Sequence, residues 1–334
     1  MLPALYLFHD GQSLRAEWQS DIPGSMPNMP GEFIADGTEQ LEADFTQESL
    51  ATFVNDCLNR VARVTDSRVY QLAEQWKAIQ GADVEEQHFC TLAGRMGIDP
   101  YDDREMTEEL VRFLEQANAE DPLVRDLTEV AHHEFVVEQW SWLTRVVAEL
   151  GLGPNPVDLP FDIPSRGLSP PLFGYELASK VRAQARISPV SPLDSVEAVA
   201  PYATGKTLRF EDRNHAPGEG IRAIVGRSAG DIVCAGPTPP RADSKRFLIA
   251  RSLYHAIVTT HTSQRLVTAA YSWEQKASRA FAAELLAPRQ ALAQRISTSG
   301  ADSGAIETLS REFDTSTIVI ENQLENAGIS LSSE

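Results

Sequence analysis

Two stretches of sequence decide the fold: RFLIARSLYH at residues 246–255 and EQKASRAFAAELLAP at residues 274–288. Apolar residues recur at helical spacing around both, over residues 241–260 and over the alanine-rich residues 273–296, and this predicts two long helices. A shorter helix is predicted at residues 175–186. Strand-like segments at residues 207–211, 221–225 and 231–234 alternate with glycine-rich turns. The second half of the chain therefore predicts helices packed on a small sheet.

The first half of the chain predicts a β-hairpin followed by a helical bundle. Apolar residues 4–8 and the alternating residues 14–18 flank Asp10-Gly11, a dipeptide typical of hairpin turns. Residues 20–40 contain several prolines and glycines and predict a loop. Helical periodicity follows at residues 50–61, 69–79, 106–119 and 123–150. Asp83 and Glu86 form a capping-box pattern ahead of a helix that ends near Gly97.

Six prolines within residues 151–171 mark the expected domain boundary, since a helix does not continue through such a stretch. The sequence thus predicts an acidic hairpin-plus-helix domain at residues 1–150, a proline-rich linker at 151–171 and a second domain at 172–334. A chain of 334 residues is long enough for two domains of ordinary size.

The net negative charge of the chain comes entirely from its first half. The net charge is −19, and residues 1–150 hold 29 acidic and 10 basic residues, whereas residues 151–334 hold 19 of each. This balance argues against direct nucleic-acid binding, which needs a basic surface. The acidic half is interpreted as a solvated surface or as a docking face for a basic protein. A third interpretation is that it mimics nucleic acid and sequesters a DNA-binding protein.

No segment is long and apolar enough to predict a membrane span, and the first ten residues lack the basic start of a signal peptide. Cys57, Cys90 and Cys234 are odd in number and far apart, among apolar residues. They are interpreted as buried free thiols, and a cytoplasmic location is expected.

The two decisive stretches resemble the ImmA/IrrE family of zinc-metallopeptidase-like proteins. In that family one helix reads roughly R-F-x-x-A-H-E-x-x-H, and a later helix supplies a glutamate ahead of F-A-A-x-L-L-x-P. Arg246-Phe247, Ala250 and His255 match the first pattern, and the run from Phe281 to Pro288 matches the second. The resemblance covers about residues 172–330. It implies an α+β, mostly helical fold with a zincin-like metallopeptidase domain.

The resemblance also implies a damaged zinc site. In the family, two histidines four residues apart and a glutamate from the second helix hold zinc, and the glutamate after the first histidine is the general base. Here Arg251 stands at the first histidine position and Ser252 at the general-base position, while His255 is retained. Arginine keeps its proton and does not ligate zinc, and serine does not replace a carboxylate base. The expectation is a catalytically silent protein without a cofactor.

The third ligand position is open between Glu274, which has the right side chain, and Gln275, which has the family's spacing to the proline. One residue along a helix is a rotation of about 100°. With Arg251, His255 and Glu274 as the vestigial site, the guanidinium is expected to fill the metal's space and to pair with Glu274. The alternative is a rebuilt zinc site that uses His255, Glu274 and His261, in an active zinc metallo-endopeptidase that cleaves a repressor.

Members of the family commonly act beside helix-turn-helix repressors of the Xre type. The resemblance therefore implies a bacterial regulatory or binding protein that works with a helix-turn-helix repressor or antitoxin. The settings it implies are transcription regulation, stress response, toxin–antitoxin pairing and phage defence. This expectation rests on analogy with the family.

Overall fold

The computed structural model describes residues 5–9, 14–18, 37–64, 66–101, 106–153, 158–213, 218–228, 230–259, 264–296 and 301–331. Within these ranges the chain is α+β, as expected, with thirteen helices and two small sheets. The chain forms two compact units, Met1–Gln87 and His88–Glu334. None of the described helices is long and apolar enough to cross a bilayer.

The first unit contains a three-stranded antiparallel sheet and two helices. The strands, in sheet order, are β1 (Leu5–His9), β2 (Leu14–Trp18) and β3 (Gly37–Leu41), and the helices are α1 (Ala43–Val61) and α2 (Ser67–Gly81). Pairing of β1 with β2 confirms the expected hairpin, whose turn residues lie outside the described ranges. Strand β3 was not predicted: residues 37–40 of it lie at the end of the segment expected to be a loop. Its sequence, GTEQL, is almost wholly polar and carries no apolar alternation that marks a strand.

Helices α1 and α2 confirm the helical periodicity predicted at residues 50–61 and 69–79, but the apolar face of these helices does not form a buried core. No described residue of α2 is buried, and Phe53 of α1 is 48% exposed. The indole Nε1 of Trp76 donates to Asn55 Oδ1 at 2.8 Å and links the two helices. Periodicity predicted the secondary structure here, whereas burial depends on what packs against the stripe.

The second unit has a four-stranded mixed sheet in the order β4-β6-β5-β7, with β4 parallel to β6 and the other pairs antiparallel. The strands are β4 (Thr207–Asp212), β5 (Ile221–Ser228), β6 (Asp231–Gly236) and β7 (Gln264–Thr268). The helices are α3 (Val84–Arg95), α4 (Glu108–Gln116), α5 (Pro122–Thr128), α6 (Val136–Leu150), α7 (Pro170–Gln184), α8 (Val196–Thr204), α9 (Ala242–Val258), α10 (Trp273–Leu286), α11 (Arg289–Arg295), α12 (Ser303–Phe313) and α13 (Thr317–Asn326).

Helices cover both faces of this sheet. Ala223 and Val225 of β5 point into a core formed with α7, α8, α9 and α10. Ile224 points into the opposite core, which α3 to α6 complete, and so does Ile221, because a β-bulge between Ile221 and Ala223 changes the alternation there. A third cluster joins α11, α12 and α13. Because successive residues of a strand face opposite sides, both cores share the same strands.

The boundary between the compact units lies between Gln87 and His88, within α3, and not in residues 151–171. The apolar residues of the second face need a cover, and α3 to α6, expected in a separate domain, provide it. The described part of the proline-rich stretch packs along the sheet: Leu152 is buried against Gly226, and the Gly153 N–H donates to the Arg227 carbonyl at 3.0 Å. Prolines suit such extended chain as well as a linker.

Two helices predicted as continuous are broken. Residues 123–150 form α5 and α6 with a turn between them, and residues 273–296 form α10 and α11, separated at Pro288. The cysteines also differ from expectation. All three are free, but only Cys234 is buried, Cys90 is half-buried and Cys57 is exposed on α1.

Candidate functional site

Helices α9 and α10 bring the sequence-predicted site residues together under the sheet. Every residue of α9 from Leu248 to Ile257 is buried, because the sheet lies on one side and other helices on the other. Helices α7 and α10 approach closely at Gly174, where a Cβ atom would lie 2.4 Å from the Ala277 carbonyl oxygen. The site is thus built on rigid, closely packed elements.

The Arg251 guanidinium is buried and bound to neutral groups. Its Nη2 donates to Gln275 Oε1 at 2.6 Å and to the Thr268 carbonyl at 3.0 Å, and its Nε donates to Ser278 Oγ at 3.1 Å. Burial, and then the charge of Arg279, lowers the pKa of Arg251 to about 9. No described carboxylate forms an ion pair with it. Arg251 is therefore a buried cation that three hydrogen bonds hold in place.

The prediction that Arg251 forms an ion pair with Glu274 is wrong. Glu274 instead accepts hydrogen bonds from the Tyr254 hydroxyl at 2.7 Å and from Arg166 Nη1 at 2.5 Å. The rotation of about 100° between adjacent helical residues explains the difference, since it turns Gln275 toward Arg251 and Glu274 toward Tyr254 and Arg166. Gln275 is fully buried, whereas the Glu274 side chain is 19% exposed. Of the two residues left open by the sequence, Gln275 is the one that meets Arg251.

His255 is fully buried, and neither ring nitrogen has a hydrogen-bond partner among the described residues. Burial, and then the charges of Arg265 and Arg251, holds the pKa of His255 well below its usual range. The Gln275 amide opposes this shift but does not reach hydrogen-bond geometry with the ring. The imidazole is therefore neutral.

Ser252 faces the sheet. Its hydroxyl donates to the Leu248 carbonyl at 2.9 Å and lies 3.0 Å from the Cys234 sulfur on β6. Burial raises the pKa of the Cys234 thiol to about 12, which keeps that group protonated. Neither a serine hydroxyl nor this protonated thiol is a general base near neutral pH.

The residues described around His255 do not fit a zinc ion. Among the described ranges no three His, Cys, Asp or Glu side chains cluster as a metal site requires, and His261 lies outside those ranges. The guanidinium of Arg251 stands where a neutral or anionic ligand is needed. Its charge opposes that of a divalent cation.

The outer edge of β7 is closed by side chains, a feature that the sequence did not reveal. Asp126 of α5 accepts from the Leu266 N–H at 2.8 Å, and Gln275 Nε2 donates to the Leu266 carbonyl at 2.8 Å. The Thr268 N–H donates to Gln275 Oε1 at 3.1 Å, and the Thr268 carbonyl accepts from Arg251. An extended peptide adds to a sheet through such groups. Here they are already paired.

Asp126 also forms a buried, bidentate ion pair with Arg265, at 2.7 and 2.8 Å. The neighbouring Glu129 has a pKa raised to about 7, first by burial and then by the Asp126 carboxylate. The sequence signal for this cluster is slight: two charged residues, Arg125 and Asp126, lie between the apolar residues Leu123-Val124 and Leu127.

No protein-family model matches this chain, and no curated protein matches it.

Proposed function

We propose that this protein is a non-catalytic binding or regulatory protein built on an ImmA/IrrE-like, zincin-like scaffold. The observation that carries the proposal is the buried Arg251 guanidinium, hydrogen-bonded to Gln275, Ser278 and Thr268 at the position of a metal ligand. A guanidinium neither ligates zinc nor leaves room for it beside its partners.

Two further features support a silent site. The side chains that pair with the edge of β7 occupy the backbone groups that a substrate strand would need. Ser252 offers no carboxylate to activate water, and its hydroxyl is bound to the Leu248 carbonyl. The region around Arg251 therefore lacks a metal ligand at that position, a general base at Ser252 and an unpaired strand edge for a substrate.

The proposed partner is a helix-turn-helix repressor or antitoxin, as the family resemblance implies. Such proteins carry basic surfaces that bind phosphates. Residues 1–150, with 29 acidic and 10 basic side chains, provide charge of the opposite sign. Complementary charge accelerates association and makes it sensitive to salt.

Metal content tests the silent site. Elemental mass spectrometry of the full-length protein is expected to find less than about a tenth of a zinc per chain. The Arg251→His, Gln275→Glu double variant restores a three-ligand set and is expected to bind about one zinc per chain. The matched control, Arg251→His with Lys276→Glu, places the carboxylate about 100° around the helix and is expected to bind none.

Near one zinc per chain in the unaltered protein, lost in His255→Ala, would show that the site is a working metal centre. The alternative, an active zinc metallo-endopeptidase, would then replace the proposal. Failure of the double variant to bind zinc would refute the relationship of this site to a metal centre.

Partner binding is tested with a purified Xre-type helix-turn-helix repressor. Calorimetric titration of the two full-length proteins is expected to give a complex that weakens as salt rises, with the partner intact on mass spectrometry afterwards. A cleaved partner would contradict the silent assignment, and absence of binding at low salt would contradict the partner.

A further inference from the structure

The two edges of the four-stranded sheet differ. The β7 edge is closed by the side chains of Asp126, Gln275 and Arg251. Strand β4 forms the opposite edge, and within the sheet it pairs with β6. The outward N–H and C=O groups of an edge strand can pair with a strand of another chain. Strand β4 is therefore the edge through which this sheet can be extended.

The register of β4 on β6 shows which backbone groups point outward. The two strands are parallel, and just beyond their last pair the Arg213 N–H donates to the Gly236 carbonyl at 3.0 Å. The N–H and C=O of one strand residue point to the same side, and that side alternates along the chain. Residues 209, 211 and 213 therefore face β6, whereas residues 208, 210 and 212 face away from the sheet.

The outward edge is open at Leu208 and Phe210. No group in the described part of the chain forms a hydrogen bond with their outward N–H and C=O groups. The open stretch begins after Lys206, whose N–H and carbonyl are both bound by the Thr204 hydroxyl at 3.2 Å. The side chains of Leu208 and Phe210 pack into the core with α8 and α9, so that core fixes the position of the edge.

The charged side chains of β4 form a self-complementary pattern around Phe210. Arg209 and Glu211 lie on one face of the strand, one on each side of Phe210, and form an ion pair with each other. Arg209 Nε also lies 3.5 Å from Asp231 Oδ2. The Arg209 and Glu211 side chains are still 42% and 34% exposed, so each can contact a further charge. An antiparallel strand of the same sequence, with Phe210 opposite its own copy, would place an arginine opposite a glutamate twice.

We propose that β4 pairs antiparallel with β4 of a second copy of this chain, so that the two sheets join across a two-fold axis. Residues 208, 210 and 212 then exchange N–H···O=C hydrogen bonds with residues 212, 210 and 208 of the copy. Arg209 and Glu211 fall at non-hydrogen-bonded positions, where opposite side chains lie closest. The neighbouring register would set Arg209 opposite Arg209, and like charges directly opposite are destabilising. Charge thus selects one register, and the interface requires neither a metal nor the proposed repressor partner.

The oligomeric state of the full-length protein tests this proposal. Sedimentation velocity over a concentration series is expected to show a monomer–dimer equilibrium. Glu211→Arg sets arginines opposite each other and is expected to raise the dissociation constant about tenfold or more. Adding Arg209→Glu restores opposite charges in exchanged positions and should return the constant to that of the unaltered protein. Glu312→Arg, the matched control, makes the same charge change in an exposed ion pair on α12 and should leave the dimer unchanged.

A monomer at every concentration, or a dissociation constant that Glu211→Arg leaves unchanged, would overturn the proposal. Should Glu211→Arg fail to fold, hydrogen exchange of the unaltered protein decides the matter. The Leu208 and Phe210 amides are expected to exchange at least about tenfold more slowly where the dimer predominates than where the monomer does. Equal exchange of these amides in both states would show that β4 forms no such interface and would overturn the proposal.

Discussion

Removal of the Asp126 carboxylate is expected to destabilise the second unit strongly. Its side chain is 2% exposed and accepts three hydrogen bonds, from Arg265 Nε, Arg265 Nη2 and the Leu266 N–H, all at 2.7–2.8 Å. Asp126→Ala leaves the Arg265 guanidinium buried without a counter-ion and the edge of β7 with an unpaired amide.

The magnitude follows from these two losses. An uncompensated buried charge costs about 3–5 kcal/mol, and an orphaned buried amide costs about 1–3 kcal/mol. Because relaxation of the same cavity serves both groups, the losses are not fully additive, and we expect about 4–6 kcal/mol. This is a large part of the free energy of unfolding of an ordinary domain, about 5–15 kcal/mol.

Urea unfolding followed by tryptophan fluorescence measures the change, since Trp142 and Trp273 are buried in this unit. Glu120→Ala is the control: Glu120 is 71% exposed and lies 3.7 Å from Arg125, so its loss is expected to cost less than about 1 kcal/mol. Asp126→Leu combined with Arg265→Met should recover most of the loss, because an apolar pair carries no unpaired charge.

A cost of Asp126→Ala no larger than that of the Glu120 control would contradict a stabilising role for the buried ion pair. That role is also contradicted if the double variant is as unstable as the single one, since the cost would then come from lost packing and not from charge.

Further predictions concern pH and packing. Burial and the Asp126 carboxylate raise the pKa of Glu129 from 4.5 to about 7. Between these two pH values the folded protein keeps a proton that the unfolded chain has released. The stabilisation from this proton is therefore complete below pH 4.5 and is lost as pH rises through 7. Glu129→Gln is therefore expected to equal the unaltered protein at pH 4.5 and to exceed it by up to about 3 kcal/mol at pH 8 in urea unfolding; parallel pH profiles would contradict this. Gly174→Ala is expected to cost about 2–3 kcal/mol, because its Cβ would meet the Ala277 carbonyl oxygen at 2.4 Å. Gly94→Ala, with open space around it in α3, should instead stabilise by about 0.5–1 kcal/mol, and equal effects in the two variants would contradict the close approach.

Periodicity predicted much of the fold because most of its elements bury a regular face. The hairpin of β1 and β2, the three strands β4 to β6 and helix α9 all lie where apolar spacing placed them. Strand β7 escaped notice because its sequence, QRLVT, is short and carries Arg265 inward toward Asp126. The unit boundary was misplaced because proline content reports where helices stop and not which surfaces pack together.

The sequence predicted that the candidate site residues lie close together, but not which of them form hydrogen bonds with one another. Arg251, His255 and the neighbours Glu274 and Gln275 do lie together, because they occupy facing helices. Whether Glu274 or Gln275 meets Arg251 depends on the rotation between adjacent residues of a helix, so an error of one residue in the spacing selects the wrong partner. Asp126, more than a hundred residues away, could not be assigned to this region by any local pattern.

The Gln275 amide bears on how this site could change over generations. One side chain binds Arg251, the Thr268 N–H and the Leu266 carbonyl at once. A lone Gln275→Glu change would set a carboxylate oxygen against that carbonyl, and a lone Arg251→His change would leave the amide oxygen one donor short. Each single step toward a metal ligand thus disturbs hydrogen bonds that the other residue shares, so the effects of the two changes are expected not to be additive.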